Sequence, residues 1–203
     1  MKIGPKYKIA RRLGAPIFEK TQTQKYAISA EKKSKSKGFS RGRTEYGNQL
    51  NEKQKARFTY NMSERQFSNY IKEAISKKSV NVSQTIFEFL ELRLDNVVYR
   101  LGLSQTRSGA KQMVSHGHIK VNNRKVSIPS MRVRVGDKIE INDRSKDKPL
   151  FKNFDERFSS VTVPVWLKFE VDKKIGVVMG LPHYLKTENM FDLNTVVELY
   201  SRS

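Results

Sequence analysis

Residue types able to do covalent or metal chemistry are scarce in this chain. It has no cysteine and only three histidines, His116, His118 and His183, which excludes thiol nucleophiles, disulfides and cysteine-ligated zinc. His116 and His118 flank Gly117 with a spacing poor for zinc, so no metal and no other cofactor is expected. Cations, by contrast, are abundant: 40 Lys and Arg against 20 Asp and Glu give a net charge of +20 over 203 residues. Such a surplus attracts and neutralises phosphates, and a nucleic acid is the expected partner.

The cations are unevenly placed. Residues 1–43 hold 13 basic and 2 acidic residues, and residues 93–128 hold 7 and 1, whereas 44–92 and 129–203 are close to balance. Within the first block, EKKSKSKGFSRGR from Glu31 to Arg43 has too few apolar residues to fold alone. An extended basic arm is therefore predicted over 1–43, ordered only when phosphates neutralise it. The remaining composition, 37% hydrophobic and 10% aromatic, suits modest cores. No apolar run approaches the roughly 18 residues of a spanning helix, and the first residues carry charges where a secretion signal needs an apolar stretch. A cytoplasmic protein without a membrane partner is expected.

The elements that must position these cations are read from periodicity. Ser63 is predicted to cap a helix, with Gln66 closing a capping box and Met62 stapling against Phe67. Phe67, Ile71, Ala74 and Ile75 form its apolar stripe, and Arg65, Asn69 and Lys72 lie on another face. Ser83 is predicted to cap the next helix. Leu94, Val97, Val98 and Leu101, at i, i+3, i+4 and i+7, predict a buried face that leaves Arg93, Asn96 and Arg100 outside. A following helix turns Ala110, Met113 and Val114 inward, sets Arg107 and Lys111 one turn apart outward, and ends at Gly117. Ile119 and Val121, a turn at Asn122 and Asn123, then Val126 and Ile128 predict a β-hairpin with a basic tip. Met131, Val133 and Val135 alternate before a turn at Gly136 and Asp137, and Ile139 and Ile141 return. The fold class is α+β: a helical N-terminal domain, then two helices packed on short antiparallel strands.

Six segments, in order and over nearly the whole length, resemble one family: GPKYKIARRLG near the start, YGNQLNEKQKARFTY from Tyr46, ERQFSNYIKEA from Glu64, LRLDNVVYRLG from Leu92, TRSGAKQMVSHGHIKVNNRKVSIPS from Thr106, and VVELYSR at the end. The family is the bacterial small-subunit ribosomal protein S-four, with the small RNA-binding domain named after it. The resemblance implies an arm over 1–43, a helical domain over 44–92 joined by the C-terminal segment 190–203, the RNA-binding domain over 93–155 and a β-rich continuation over 156–189. It also implies a structural constituent of the small ribosomal subunit, not an enzyme, that binds ribosomal RNA and nucleates assembly. Neighbouring ribosomal proteins would be further partners. Lys35, Lys37, Arg41 and Arg43 would lie near the path by which messenger RNA enters the subunit, with a contribution to translational accuracy. Some members bind zinc through N-terminal cysteines, which this chain lacks.

An A-form helix hides its base edges in a deep groove, so folded RNA is recognised through phosphates, 2′-hydroxyls and shape by cations on rigid supports. Arg93, Arg100, Arg107 and Lys111 on helices, and Lys120, Arg124 and Lys125 on the hairpin, are the expected contacts. His116, His118, Asn122 and Arg132 lie beside them in sequence; the histidines read equally well as part of the helix end, and Asn122 as a turn residue. Further contacts are expected from Lys6, Lys8, Arg11 and Arg12 in the first segment and from Lys53, Arg57, Arg65 and Lys72 in the helical domain.

Three other readings compete. Pseudouridine synthases carry a similar small domain and use the Asp of a GRLD motif, and here Arg93, Leu94 and Asp95 give RLD. Asp95, however, lies inside the binding domain, where it is expected to cap or pair at a helix start, and the 61 residues after Asn142 are too few for a catalytic domain. KSKSK from Lys33 resembles the KMSKS loop of tyrosyl-tRNA synthetases, but no nucleotide-binding βα unit precedes it. A free-standing RNA chaperone or translational repressor would share the small domain and lack the YGNQL and ERQF segments.

Overall fold

Three helices begin at the residues whose side chains can satisfy an orphan backbone N–H. Thr44 Oγ1 accepts from the Gly47 N–H at 3.2 Å, Ser63 Oγ from Gln66 at 3.3 Å and Thr106 Oγ1 from Gly109 at 3.0 Å, the N-cap geometry that favours Ser and Thr. They open α3 (Glu45–Thr59), α4 (Glu64–Ser76) and α7 (Arg107–Ser115). The structure, a computed structural model, describes residues 3–35, 42, 44–146, 148, 151, 161–171 and 173–201. It divides into two compact units, 1–86 with 184–203, and 87–183.

The first unit is helical. Besides α3 and α4 it holds α1 (Lys6–Leu13), α2 (Gln24–Lys35), the first half of α5 (Val82–Glu91) and a C-terminal helix, α8 (Leu193–Ser201). α8 packs along α3; ahead of it Phe191 meets Tyr60 edge to face at 5.9 Å, and the Asp192 N–H donates to Glu52 Oε2 at 2.9 Å. The cap of α5 differs from expectation. Asn81 Oδ1 accepts from the Gln84 N–H at 2.9 Å, whereas Ser83 donates to Asn194 Oδ1 at 2.5 Å. Both residue types can cap, and Ser83 has a tertiary partner from the C-terminal segment. Asn81→Ala is accordingly expected to cost about 1 kcal/mol, read as a shift in urea midpoint. An unchanged midpoint would take the cap away from Asn81.

The N-terminal segment also departs from the expected arm. α1 and α2 are helices, α1 ends on Gly14 at φ +71°, and Ala10, Leu13, Ala15, Ile17 and Phe18 form one buried cluster with Phe58 of α3. Ala10 and Leu13 share a helix face while Lys8 and Arg12 are exposed, so burial and charge are separated around α1 rather than opposed. Phe58, forty positions from Phe18, completes a cluster that the segment's own composition could not.

The second unit packs α6 (Leu94–Arg100) and α7 on an antiparallel sheet of five strands. These are β1 (Ile119–Val121), β2 (Arg124–Val126), β3 (Lys138–Ile141), β4 (Leu167–Glu170) and β5 (Ile175–Val178), in the order β2-β1-β3-β5-β4. Ile119 opposes Ile141 and Val121 opposes Ile139, which turns one apolar face towards Leu94, Val97, Val98 and Leu101 in a single core. Asn122 and Asn123, at φ +49° and +64°, give the hairpin the left-handed pair that a two-residue turn needs. Gly176 lets α6 approach: a Cβ there would stand 2.4 Å from Leu101 Cδ1. Met131–Val135 does not form the expected ladder. Its pairing is an isolated bridge between Arg132 and Arg93, because β3 has β1 on one edge and β5 on the other.

Candidate nucleic-acid interface

α5, α6 and α7 are tied together by a polar network around one buried carboxylate. Glu91, 1% exposed, accepts from Arg100 Nε and Nη2 at 2.9 and 2.8 Å and from Asn96 Nδ2 at 2.9 Å. Asn96 Oδ1 in turn accepts from Arg107 Nε at 2.9 Å, and the Arg107 guanidinium lies 4.3 Å above the Tyr99 ring. The spacing of 96 and 100 places both over Glu91 one turn apart. Arg100 and Arg107 are thus held at fixed positions with part of each side chain exposed.

Two residues expected outside are inside. Arg93 precedes α6 in extended conformation, outside the helical period used to place it, and its bridge to Arg132 turns it inward. Its guanidinium pairs with Asp95 through Nε at 3.0 Å and Nη2 at 2.6 Å, with the two side chains 1% and 7% exposed. Arg93 is therefore not an outward RNA contact, and Asp95 is part of a buried ion pair. Asn96 is buried because Glu91 and Arg107 satisfy both ends of its amide.

The hairpin and the middle of α7 supply further cations, Lys111 half-buried. Lys111, Arg124 and Lys125 carry no ion pair among the described residues, and Arg124 and Lys125 are exposed on β2. Lys120 pairs with Asp143, which also meets Lys146 at 2.8 Å; the two ammonium groups hold the Asp143 carboxyl down at about 2. The Asn122 amide is committed to the turn, donating to Asp137 Oδ1 at 2.8 Å and accepting from the Lys138 N–H at 2.9 Å. His116 is exposed; His118 is half-buried, with Nδ1 2.9 Å from Ser145 Oγ and its ring edge-on to Phe151. Burial first, and then the nearby Lys148, His116 and Lys125, push the His118 imidazole below its ordinary value.

Sequence reasoning missed two members of this surface. Lys148, thirty residues on, bears electrostatically on His118, with no local signal to find it. Arg134 lines a hollow with Arg124 and Arg132 over Val121, Val126 and Met131. The alternation in MRVRV could have singled it out, had its strand partner been known. Arg132 itself lies 3.9 Å above the Phe89 ring.

In the first unit the expected contacts divide. Lys53 and Arg57 are paired with Glu64 at 2.7 and 3.3 Å, and Arg57 also donates to Gln54 Oε1, so both join α3 to α4. Lys6 reaches Glu19 at 4.0 Å and lies over Phe18. Lys8, Arg65 and Lys72 are exposed without ion pairs among the described residues, Arg12 is exposed, and Arg11 donates to the Tyr7 carbonyl at 3.2 Å. The side chain of Lys35, and the whole of Lys37, Arg41 and Arg43, lie outside the described residues. Among those described, no group of three or more His, Asp or Glu could hold a metal ion, and no helix is long and apolar enough to cross a membrane.

Comparison with known proteins identifies the family of both parts of the chain. Residues 92–139 match the S4 domain, and residues 1–91 match the ribosomal protein S4/S9 N-terminal domain. The small ribosomal subunit protein uS4 of Heliobacterium modesticaldum is 40% identical over 206 aligned residues, 98% of each chain. The chain belongs to the uS4 family. The uS4 proteins of Aquifex aeolicus and Amoebophilus asiaticus are likewise 40% identical with 98% of each chain covered. The S4-domain match encloses α6, α7, the hairpin and the start of β3, and with them Asn96, Arg100, Arg107, Lys111, Arg124 and Lys125.

Proposed function

We propose that this chain is a structural, non-catalytic component of the small ribosomal subunit in the cytoplasm, binding the subunit's ribosomal RNA directly and early enough to nucleate assembly. Relatives named as small-subunit proteins over the full length support the setting. The observation that carries RNA binding is the set of cations without an ion pair among the described residues, Lys111, Arg124 and Lys125, held on a helix and a hairpin within the S4 domain. Such cations fix an RNA by its phosphates, and a rigid support preserves the spacing that makes the contact shape-selective. Lys35, Lys37, Arg41 and Arg43 belong, on this reading, near the path of the incoming messenger RNA, where their charge density holds an unfolded strand and bears on accuracy. Other small-subunit proteins are the neighbours.

The test is the triple variant Lys111→Glu, Arg124→Glu, Lys125→Glu. Its stability is expected to fall by no more than about 1.5 kcal/mol, at about 0.5 kcal/mol for each of three such changes. Its affinity for small-subunit ribosomal RNA should drop, and the slope of log affinity against log salt should flatten by about 0.9 for each phosphate no longer neutralised. An unchanged slope removes this surface from the interface. Co-sedimentation of wild type with small subunits at high salt separates a ribosomal component from a free RNA chaperone or repressor, which would be washed off.

A further inference from the structure

The Tyr7 and Tyr26 rings lie nearly parallel, with centroids 5.5 Å apart and planes 14° apart. Tyr26, on α2, packs against the buried cluster around Leu13 and Phe18, whereas Tyr7, on α1, lies outside that cluster and is 44% exposed. The stack therefore runs outward from the core and ends on an aromatic ring in contact with solvent. Its surroundings are cationic. Lys8 and Arg12 follow on the same helix and are exposed, Lys25 adjoins Tyr26 and is exposed, and Arg11 donates to the Tyr7 carbonyl. Burial pushes the Tyr26 hydroxyl up while the Arg11 guanidinium pulls it the other way. No acidic residue occupies the first turn of α1.

We propose that Tyr7, backed by Tyr26, is a stacking platform for one unpaired base of RNA, with Lys8, Arg11 and Arg12 taking the adjoining phosphates. This rests on the RNA-binding reading above and specifies a contact outside the S4 domain. Every base has a π-face, so an exposed ring stiffened from behind accepts it whatever its identity, and flanking cations track the backbone on either side. A ring that served only to pack α2 on α1 would be replaceable by any apolar side chain of similar size. A base platform needs the aromatic face and not the hydroxyl.

That contrast gives the experiment, carried out on the full chain with in vitro-transcribed small-subunit ribosomal RNA. Tyr7→Leu keeps apolar bulk against Tyr26 and is expected to weaken binding roughly 5- to 150-fold, the range for losing one stacked base, with an unchanged salt slope because every phosphate keeps its cation. Tyr7→Phe should bind as wild type. Lys8→Ala in the same assay should flatten the slope while leaving the platform intact. Wild-type affinity in Tyr7→Leu overturns the proposal, as does an equal loss in Tyr7→Phe, which would assign the contact to the hydroxyl. Absence of RNA binding by wild type would instead remove the underlying function, and the platform with it.

Discussion

Arg93→Met is expected to lower the stability of the 87–183 unit by about 3–5 kcal/mol, far more than the loss of an exposed arginine. Its guanidinium is enclosed with the Asp95 carboxylate in a two-bond pair, and removing it leaves a carboxylate out of water without that counter-ion. The desolvation cost already incurred by Asp95 is then unmatched. The double variant Arg93→Met, Asp95→Leu should recover most of the loss, because a buried ion pair replaced by apolar residues of similar volume is often neutral or better. Urea melting of the two single variants and the double variant closes the cycle. A single-variant loss under about 1 kcal/mol would describe an exposed pair and contradict the burial. RNA affinity should follow stability through the series and return in the double variant, as it would not if Arg93 touched RNA.

The N-terminal segment gives the second large effect. Phe18→Ala is expected to destabilise the unit formed by 1–86 and 184–203 by about 3–5 kcal/mol, since Phe18 is 3% exposed and meets Phe58 edge to face at 6.2 Å. Asn51 Nδ2 adds a bond to the Leu13 carbonyl at 3.1 Å, so α1 is joined to α3 by packing and by a polar contact together. Amide protection across Lys8–Leu13 should be present in the free wild-type protein and absent in Phe18→Ala. Deleting residues 1–43 should likewise expose Phe58 and cost stability, rather than leave an unaffected remainder. If these amides exchange freely in wild type and Phe18→Ala melts as wild type does, the segment orders only on RNA, as its charge alone would dictate.

Local signals carried much of the fold. The cap at Ser63, the end of α7 at Gly117, the apolar period through Leu94 and Leu101, and the Asn122–Asn123 turn are legible because each depends on atoms within a few residues of one another. The charge excess of residues 93–128, and the placement of Lys111, Arg124 and Lys125 on a helix and a hairpin, follow from the same reasoning. The family resemblance added order and domain roles that periodicity alone does not contain.

What the sequence left undecided was which cations are free. Lys53, Arg57, Lys120 and Arg93 have the same chemistry as Lys111 and Arg124, yet Glu64, Asp143 and Asp95 pair with them. The N-terminal segment is a related case: its apolar residues are too few until Phe58 joins them. Likewise Met131–Val135 alternates as a strand should, but β5, more than thirty residues later, takes the edge of β3 that it would have used. By itself the sequence determined residue type, the apolar helical faces and turn geometry, all set by short-range sterics and hydrogen bonding. Burial, charge pairing and strand neighbours were decided by tertiary structure, because each depends on which distant residue arrives to cover, neutralise or hydrogen-bond the group.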